Sequence, residues 1–260
     1  MHTMNTLTID IADTVALVRL NDPSRRNAVT LQMANDIEAA FDGLEADPNL
    51  HACVLTGAGS AFCAGADLEL LLKCEPALFR RIYEAFLRVR RCPLPTIAAV
   101  NGPATGAGLN LVLACDVCIT VPKAKLVARF LDVGLHPGGG NSWMLTQVVG
   151  PAWTKAMLLF NEELDGESAV AAGLSLRCVA PDQLLDEARR VARQAGSVPR
   201  ALLARAKATV DRMAAVLEHK EAIEIEAEAQ AWSITLPFFR ERIEALQRQI
   251  AARSAAQKPS

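Results

Sequence analysis

The stretch that decides the fold reads Gly57-Ala58-Gly59-Ser60-Ala61-Phe62-Cys63-Ala64-Gly65-Ala66-Asp67-Leu68. It follows Cys53 to Thr56, a short apolar run of strand character. A second stretch is made the same way: Asn101-Gly102-Pro103-Ala104-Thr105-Gly106-Ala107-Gly108-Leu109-Asn110 follows the apolar run Thr96 to Val100. Glycine and alanine dominate both, so the backbone can come close to a ligand and adopt positive φ where a turn needs it. The second stretch also leads into a helix, Leu109 to Ala114, whose first N–H groups lack intrahelical partners. Spacing alone leaves two readings open. These are ordinary tight turns, or they converge to aim two backbone N–H groups at one oxygen and stabilise an oxyanion. Neither matches the dinucleotide fingerprint or the phosphate loop.

Outward from these turns the pattern is strand, helix, strand. Leu7 to Ile11 and Val15 to Leu20 read as a hairpin, and a helix from Leu31 to Leu44 is capped by Thr30. Val117 to Val121 reads as a further strand. Alternation of this kind implies crossover connections and a largely parallel sheet. From Pro181 the chain turns helical: Asp182 to Ala195, Ala201 to His219, Glu221 to Trp232 and Phe238 to Ala252, with Pro237 as a break and a frayed tail after Ala251. Gly196, Ser197 and Pro199 mark the boundary, giving an α/β part over residues 1–196 and a helical part over residues 197–260. Trp143 and Trp153 are expected in the core.

Composition narrows the function classes. The chain has 260 residues, 51% hydrophobic, 22% charged and 5% aromatic, with a net charge of −2. There is no basic field for nucleic acid, no run long enough to span a bilayer and no basic-then-apolar leader. Seven cysteines, Cys53, Cys63, Cys74, Cys92, Cys115, Cys118 and Cys178, are an odd number in mostly apolar surroundings, as expected of reduced thiols in the cytoplasm. Cys115 and Cys118 form a lone CxxC, which offers two of the four ligands zinc usually takes. No metal and no organic prosthetic group is expected.

Several motifs resemble one family. Ala61 to Leu68 is similar to the first oxyanion-hole signature of the crotonase (enoyl-CoA hydratase/isomerase) superfamily. Ile97 to Ala104 with Gly106-Ala107-Gly108 is similar to the second. Arg25-Arg26-Asn27-Ala28, Cys115-Asp116 and Gly134-Leu135-His136-Pro137-Gly138-Gly139-Gly140 resemble three further family segments, in the family's order. The resemblance implies a spiral of ββα units with a helical C-terminal region that assembles trimers, often stacked as hexamers. It assigns the oxyanion donors to the N–H groups of Ala66 and Ala107. It places the CoA part of an acyl-CoA or enoyl-CoA along Arg26, Ala28, Ala64, Asp67 and Leu68, with Phe239 and Arg242 of the C-terminal region supplied by a neighbouring subunit. CoA enters only as part of the thioester.

The same resemblance exposes a departure. Family hydratases use two glutamates, the first two residues after the glycines of the second turn and the second four residues before the glycine of the Gly134 turn. Those positions hold Asn110 and Phe130. An amide orients water but cannot take its proton near neutral pH, and a phenyl ring does neither. Each lost acid or base removes about 10²–10⁴ in rate, so efficient hydration is not expected. Two substitutes present themselves. Asp132 shares a face with Phe130 if the segment is extended, or else pairs with Arg129. His136 lies in the glycine-rich turn and is either a proton carrier or a loop histidine bonded to backbone. Glu69 is expected on an exposed helix face, and Asp67 supports its turn. The chain therefore reads either as an enzyme that stabilises a thioester enolate or as a fatty acyl-CoA carrier or sensor.

Overall fold

The computed structural model describes residues 4–73 and 75–256. Cys74 and the end of the tail expected to fray, 257–260, lie outside the described residues, while the helix itself continues to Ala256. Two units are distinguished, Met1–Arg200 and Ala201–Ser260.

The first unit is built on a six-stranded sheet. The hairpin comes first: β1 (Leu7–Ala12) pairs antiparallel with β2 (Val15–Leu20). Helix α1 (Leu31–Ala46) then carries the chain over to β3 (Ala52–Gly57). Thr30 caps α1, its Oγ1 accepting from the Met33 N–H at 3.1 Å, and Ile37, Phe41 and Leu44 stand on the buried face at helical spacing. A short α2 (Leu68–Leu72) and a long α3 (Pro76–Arg90) lead on to β4 (Thr96–Val100). Next come β5 (Ala104–Thr105), α4 (Ala107–Ala114), β6 (Val117–Thr120) and β7 (Lys125–Val127). Helix α5 (Asn141–Leu159), β8 (Leu164–Asp165), α6 (Gly166–Ala171), β9 (Arg177–Cys178) and α7 (Leu184–Arg193) complete the unit.

The sheet order is β1-β2-β3-β4-β6-β9, parallel from β2 onward. A smaller sheet, β5-β7-β8, stands apart from it. Every residue of β3 and β4 is buried, as a parallel strand covered on both faces requires. Helix α3 packs on α1, tied at the surface by Arg88, whose Nε reaches Asp42 at 2.7 Å and whose Nη2 pairs with Glu45. This mixed α/β architecture agrees with the fold class expected from the sequence.

Some expectations are corrected. The helix begun at Leu109 starts at Ala107, which puts the glycine turn directly at its first residue. Trp143 and Trp153 are 51% and 40% exposed, so neither fills the core. Both lie on α5, two helical segments merged across a kink at Gly150 (φ 75°) and Pro151, and the buried side of α5 is taken by Met144, Leu145, Met157 and Leu158. That Gly-Pro step reads as a break, which is why α5 is not visible in the sequence pattern.

The second unit is helical, with α8 (Arg200–Met213, entered from the last residue of the first unit), α9 (His219–Ser233) and α10 (Pro237–Ala256). The helix read from Ala201 to His219 ends six residues sooner, at Met213. Residues 214–218 contain no glycine or proline to mark the break, and Glu218, in extended conformation, precedes the first residue of α9. The Arg205 guanidinium lies 4.7 Å from the Trp232 ring centroid and 3.2 Å from Glu228, joining α8 to α9.

Phe41→Ala removes a fully buried ring between α1 and the sheet. It is expected to lower unfolding free energy by about 3–5 kcal/mol, read from the urea midpoint.

Candidate functional site

The two glycine turns meet. Thr105 N–H donates to the Cys63 carbonyl at 3.0 Å, and the Phe62 and Cys63 N–H groups both reach the Pro103 carbonyl, at 3.0 and 3.1 Å. Such proximity needs missing side chains. A Cβ on Gly102 would stand 2.2 Å from the Ser60 carbonyl oxygen, and one on Gly108 would stand 2.2 Å from that of Cys63. Two buried or half-buried amides staple the first turn. Asn27, in the left-handed region at φ 57°, donates from Nδ2 to the carbonyls of Ala58 and Ala61, each at 2.9 Å. Asn101 accepts from the Gly57 N–H at 3.2 Å and donates to the Gly59 carbonyl at 3.1 Å. The staple role of neither residue is evident from sequence; the tolerance of asparagine for positive φ is the one available signal.

This stitching leaves two N–H groups over. Val29 donates to the Gly65 carbonyl at 2.7 Å and accepts from the Asp67 N–H at 3.1 Å. Ala66, paired with Val29 in that parallel bridge, therefore turns its own N–H away from Val29. Ala107 opens α4, where no helical acceptor exists for its N–H. Among the described residues, neither N–H is spent on another backbone group.

Both alanines line a cavity of about 480 Å³. Leu68, Leu71, Phe79, Ile82, Phe86, Phe130 and Leu135 give it carbon walls, and Thr105, Asn110, Arg129, Asp132 and His136 give it polar groups. Of the residues singled out in the sequence, it gathers Ala64, Ala66, Leu68, Ala107, Asn110, Phe130, Asp132 and His136. Arg26, Ala28 and Asp67 do not line it. Arg26 is exposed at φ 54°, its carbonyl accepting from the Ala64 N–H at 3.0 Å, so its backbone braces the first turn. Asp67 caps α2, accepting from the Leu70 N–H at 3.1 Å, and Glu69 is exposed on that helix. Phe239 and Arg242 belong to α10 of the second unit, where Arg242 lies over the Phe238 ring.

Asn110, 1% exposed, is fully engaged. Its Nδ2 donates to the Gly138 carbonyl at 3.1 Å, and its Oδ1 accepts from the Asn141 Nδ2 at 2.6 Å. A carbonyl only accepts, so Gly138 fixes which end of the amide faces it. A carboxylate at this position would turn an oxygen toward that carbonyl. The amide thus binds α4 to the glycine-rich turn and to the start of α5.

The expectation of an extended segment at Phe130 is corrected: Phe130 precedes a 3-10 turn, Leu131–Val133, closed by Gly134 at φ 70°. Asp132 still reaches the cavity, but its carboxylate is occupied, accepting from Asn161 and lying 3.7 Å from the Arg129 Nε. Arg129 also pairs with Glu163 at 2.7 Å. His136 is exposed at the cavity, and its Nδ1 donates to the Pro137 carbonyl at 2.8 Å. In the neutral ring that bond sets the tautomer and leaves the lone pair on Nε2.

Burial pushes the Cys63 thiol, inside the first turn, up to about 12, and Cys118 likewise. Cys115 and Cys118 are both buried at the entry to β6. Among the described residues no group of three or more His, Cys, Asp or Glu is placed to hold a metal.

A sequence model of the family described as enoyl-CoA hydratase/isomerase matches residues 10–243. The chain is 46% identical over 243 residues to the probable enoyl-CoA hydratase EchA14 of Mycobacterium tuberculosis, covering 90% of this chain and 94% of that one. Among solved structures it superposes on an enoyl-CoA hydratase from Bacillus anthracis with a TM-score of 0.90 at 25% identity, covering 94% of this chain and 97% of the other. A Thermobifida fusca protein solved in complex with CoA superposes with a TM-score of 0.81 at 28% identity, covering 88% and 93%.

Two outcomes are expected here. Asn110→Leu keeps the volume but strands the Asn141 side-chain amide and leaves the Gly138 carbonyl with only the Asn141 backbone N–H at 3.3 Å. It should cost about 1–3 kcal/mol in chemical denaturation; a loss under about 0.5 kcal/mol, the range of ordinary surface changes, would refute the linking role. The thiols give a pH dependence. Above pH 9.0, the ordinary thiol value, unfolded Cys63 and Cys118 ionise while the folded ones stay neutral until about 12. Their contribution is therefore whole below 9.0 and falls as pH rises toward 12. Both should resist iodoacetamide at pH 8 in the folded protein and react on unfolding, as mass mapping would show.

Proposed function

The chain belongs to the enoyl-CoA hydratase/isomerase family of the crotonase superfamily, and from that premise we propose that it binds an acyl-CoA thioester and stabilises its enolate without the family's glutamate pair. The observation that carries this reading is the placement of two uncommitted N–H groups, Ala66 and Ala107, on one carbon-walled cavity. The thioester carbonyl oxygen is received by both. As a proton leaves the α-carbon for the base, the C–H electron pair forms the C=C bond of the enolate and the carbonyl π pair moves onto the oxygen. Donors fixed beforehand in a site of low polarity then stabilise the charge without rearranging. Ala107 adds the positive end of α4.

His136 is the proton acceptor under this reading. Its Nε2 keeps the lone pair because Nδ1–H is held by Pro137. Asp132 is the weaker candidate, since Arg129 and Asn161 already hold its carboxylate. Asn110 and Phe130 carry no proton: the first is spent on structure and the second is hydrocarbon. Enoyl hydration is then slow, while exchange at the α-carbon survives. CoA enters as part of the thioester, with its pantetheine entering past Ala64 and Leu68 and its nucleotide part meeting Arg26 and Ala28 beside the first turn. Phe239 and Arg242 of a neighbouring subunit join it, the C-terminal region mediating association into trimers. The CoA complex of the Thermobifida fusca relative supports the ligand class.

A second reading, a fatty acyl-CoA carrier or sensor, is favoured by the same two replacements. It keeps the cavity and its N–H donors and assigns His136 no chemistry.

Incubation with saturated acyl-CoAs and 2-enoyl-CoAs in heavy water separates the two. Mass spectrometry should show α-deuterium well above the protein-free control, with water addition trailing it. His136→Gln should lower exchange about 10²-fold or more while acyl-CoA affinity holds. Tight binding with no exchange in the wild-type protein would leave the carrier reading standing.

A further inference from the structure

One wall of the cavity is α3, whose Phe79, Ile82, Tyr83 and Phe86 stand at i, i+3, i+4 and i+7. Three of these are plain hydrocarbon. The fourth is the only tyrosine in the chain. Its ring is wedged between Phe79 and Phe86, with centroids 6.3 and 5.7 Å away and planes tilted by 34° and 46°. A phenol has two torsions, and this packing settles both, so the hydroxyl is held in place. It ends against the glycine-rich turn: a Cβ on Gly138 would meet the Tyr83 hydroxyl oxygen at 2.1 Å. The same Gly138 presents its carbonyl to Asn110. A fixed hydroxyl therefore stands beside the turn that also holds the Asn110 amide, on an otherwise hydrocarbon face.

Deepening the acyl-CoA reading on which it rests, we propose that Tyr83 selects the acyl chain, its hydroxyl hydrogen-bonding an oxygen function carried by that chain. The preferred ligand is then a thioester whose acyl part bears a hydroxyl or keto group besides the thioester carbonyl. A phenol donates one hydrogen bond and accepts others, so it can serve a protein group and a ligand together. An alkyl chain fills the same volume and gains burial against Phe79, Ile82 and Phe86, but it offers the phenol nothing. In a site walled by hydrocarbon, ligands of equal size are told apart by such a hydrogen bond, which apolar contact cannot supply.

The test is calorimetric titration of wild-type protein and Tyr83→Phe with hexanoyl-CoA and with hexanoyl-CoAs carrying one hydroxyl group at different chain positions. The expected result is that one hydroxylated thioester binds the wild type roughly three- to tenfold more tightly than hexanoyl-CoA. In Tyr83→Phe that advantage disappears while hexanoyl-CoA affinity is unchanged, because the ring and its packing remain. If hexanoyl-CoA binds but no hydroxylated analogue binds better, or the advantage survives in Tyr83→Phe, the selective role is overturned and the acyl-CoA reading stands. Loss of hexanoyl-CoA affinity in Tyr83→Phe would make the phenol structural and overturn the proposal equally. If no thioester binds the wild type, the acyl-CoA reading falls and this one with it.

Discussion

The carbonyl oxygens of Ser60 and Cys63 occupy the space that side chains on Gly102 and Gly108 would fill. Everything distinctive about the site depends on that contact. It lets two separate strand-to-helix turns share hydrogen bonds as though they were one element, and the leftover N–H groups of Ala66 and Ala107 follow from how the shared bonds are distributed. Backbone so close to backbone has little room for adjustment. Asn27 and Asn101 meet the remaining polar demand by supplying amide donors and acceptors where water is excluded.

The site contains few charges, and most of those are neutralised by neighbours. Asp132, Arg129 and Glu163 hold one another at the cavity edge, and His136 is tied to the next residue's carbonyl. Burial keeps the Cys63 thiol protonated. What remains to act on a ligand is chiefly fixed dipoles: two peptide N–H groups and the N-terminal end of α4. Dipoles of this sort favour developing negative charge on an oxygen and do little for water activation. On the proposed reading, that is the physical sense in which such a site grips a thioester with an amide at Asn110 and a phenyl ring at Phe130.

Asn110 shows why such a replacement is more than an absence. Its two amide ends answer two groups of opposite need, the Gly138 carbonyl and the Asn141 amide, and no carboxylate satisfies both. Once this bond network exists, the position belongs to the architecture of the cavity wall as much as to its chemistry.

Much of this was legible in the sequence. The hairpin, α1, β3, β4 and β6 follow from apolar periodicity and the Thr30 cap, because those signals are local. The glycine turns are likewise a question of which residue stands where, as is the expectation that Asn110 and Phe130 stand at the family's glutamate positions. The tertiary structure alone decided the rest. Helix α5 is hidden by its Gly150-Pro151 kink, and Trp143 and Trp153 are turned outward by the other side of that helix. Asp132 is placed on a 3-10 turn rather than an extended face. Asn27 and Asn141 find their partners 31 to 34 residues away, and Tyr83 packs its hydroxyl against the Gly138 turn. Contacts at such separations leave no periodic trace in a chain, since they depend on how elements pack and not on the order in which residues are written.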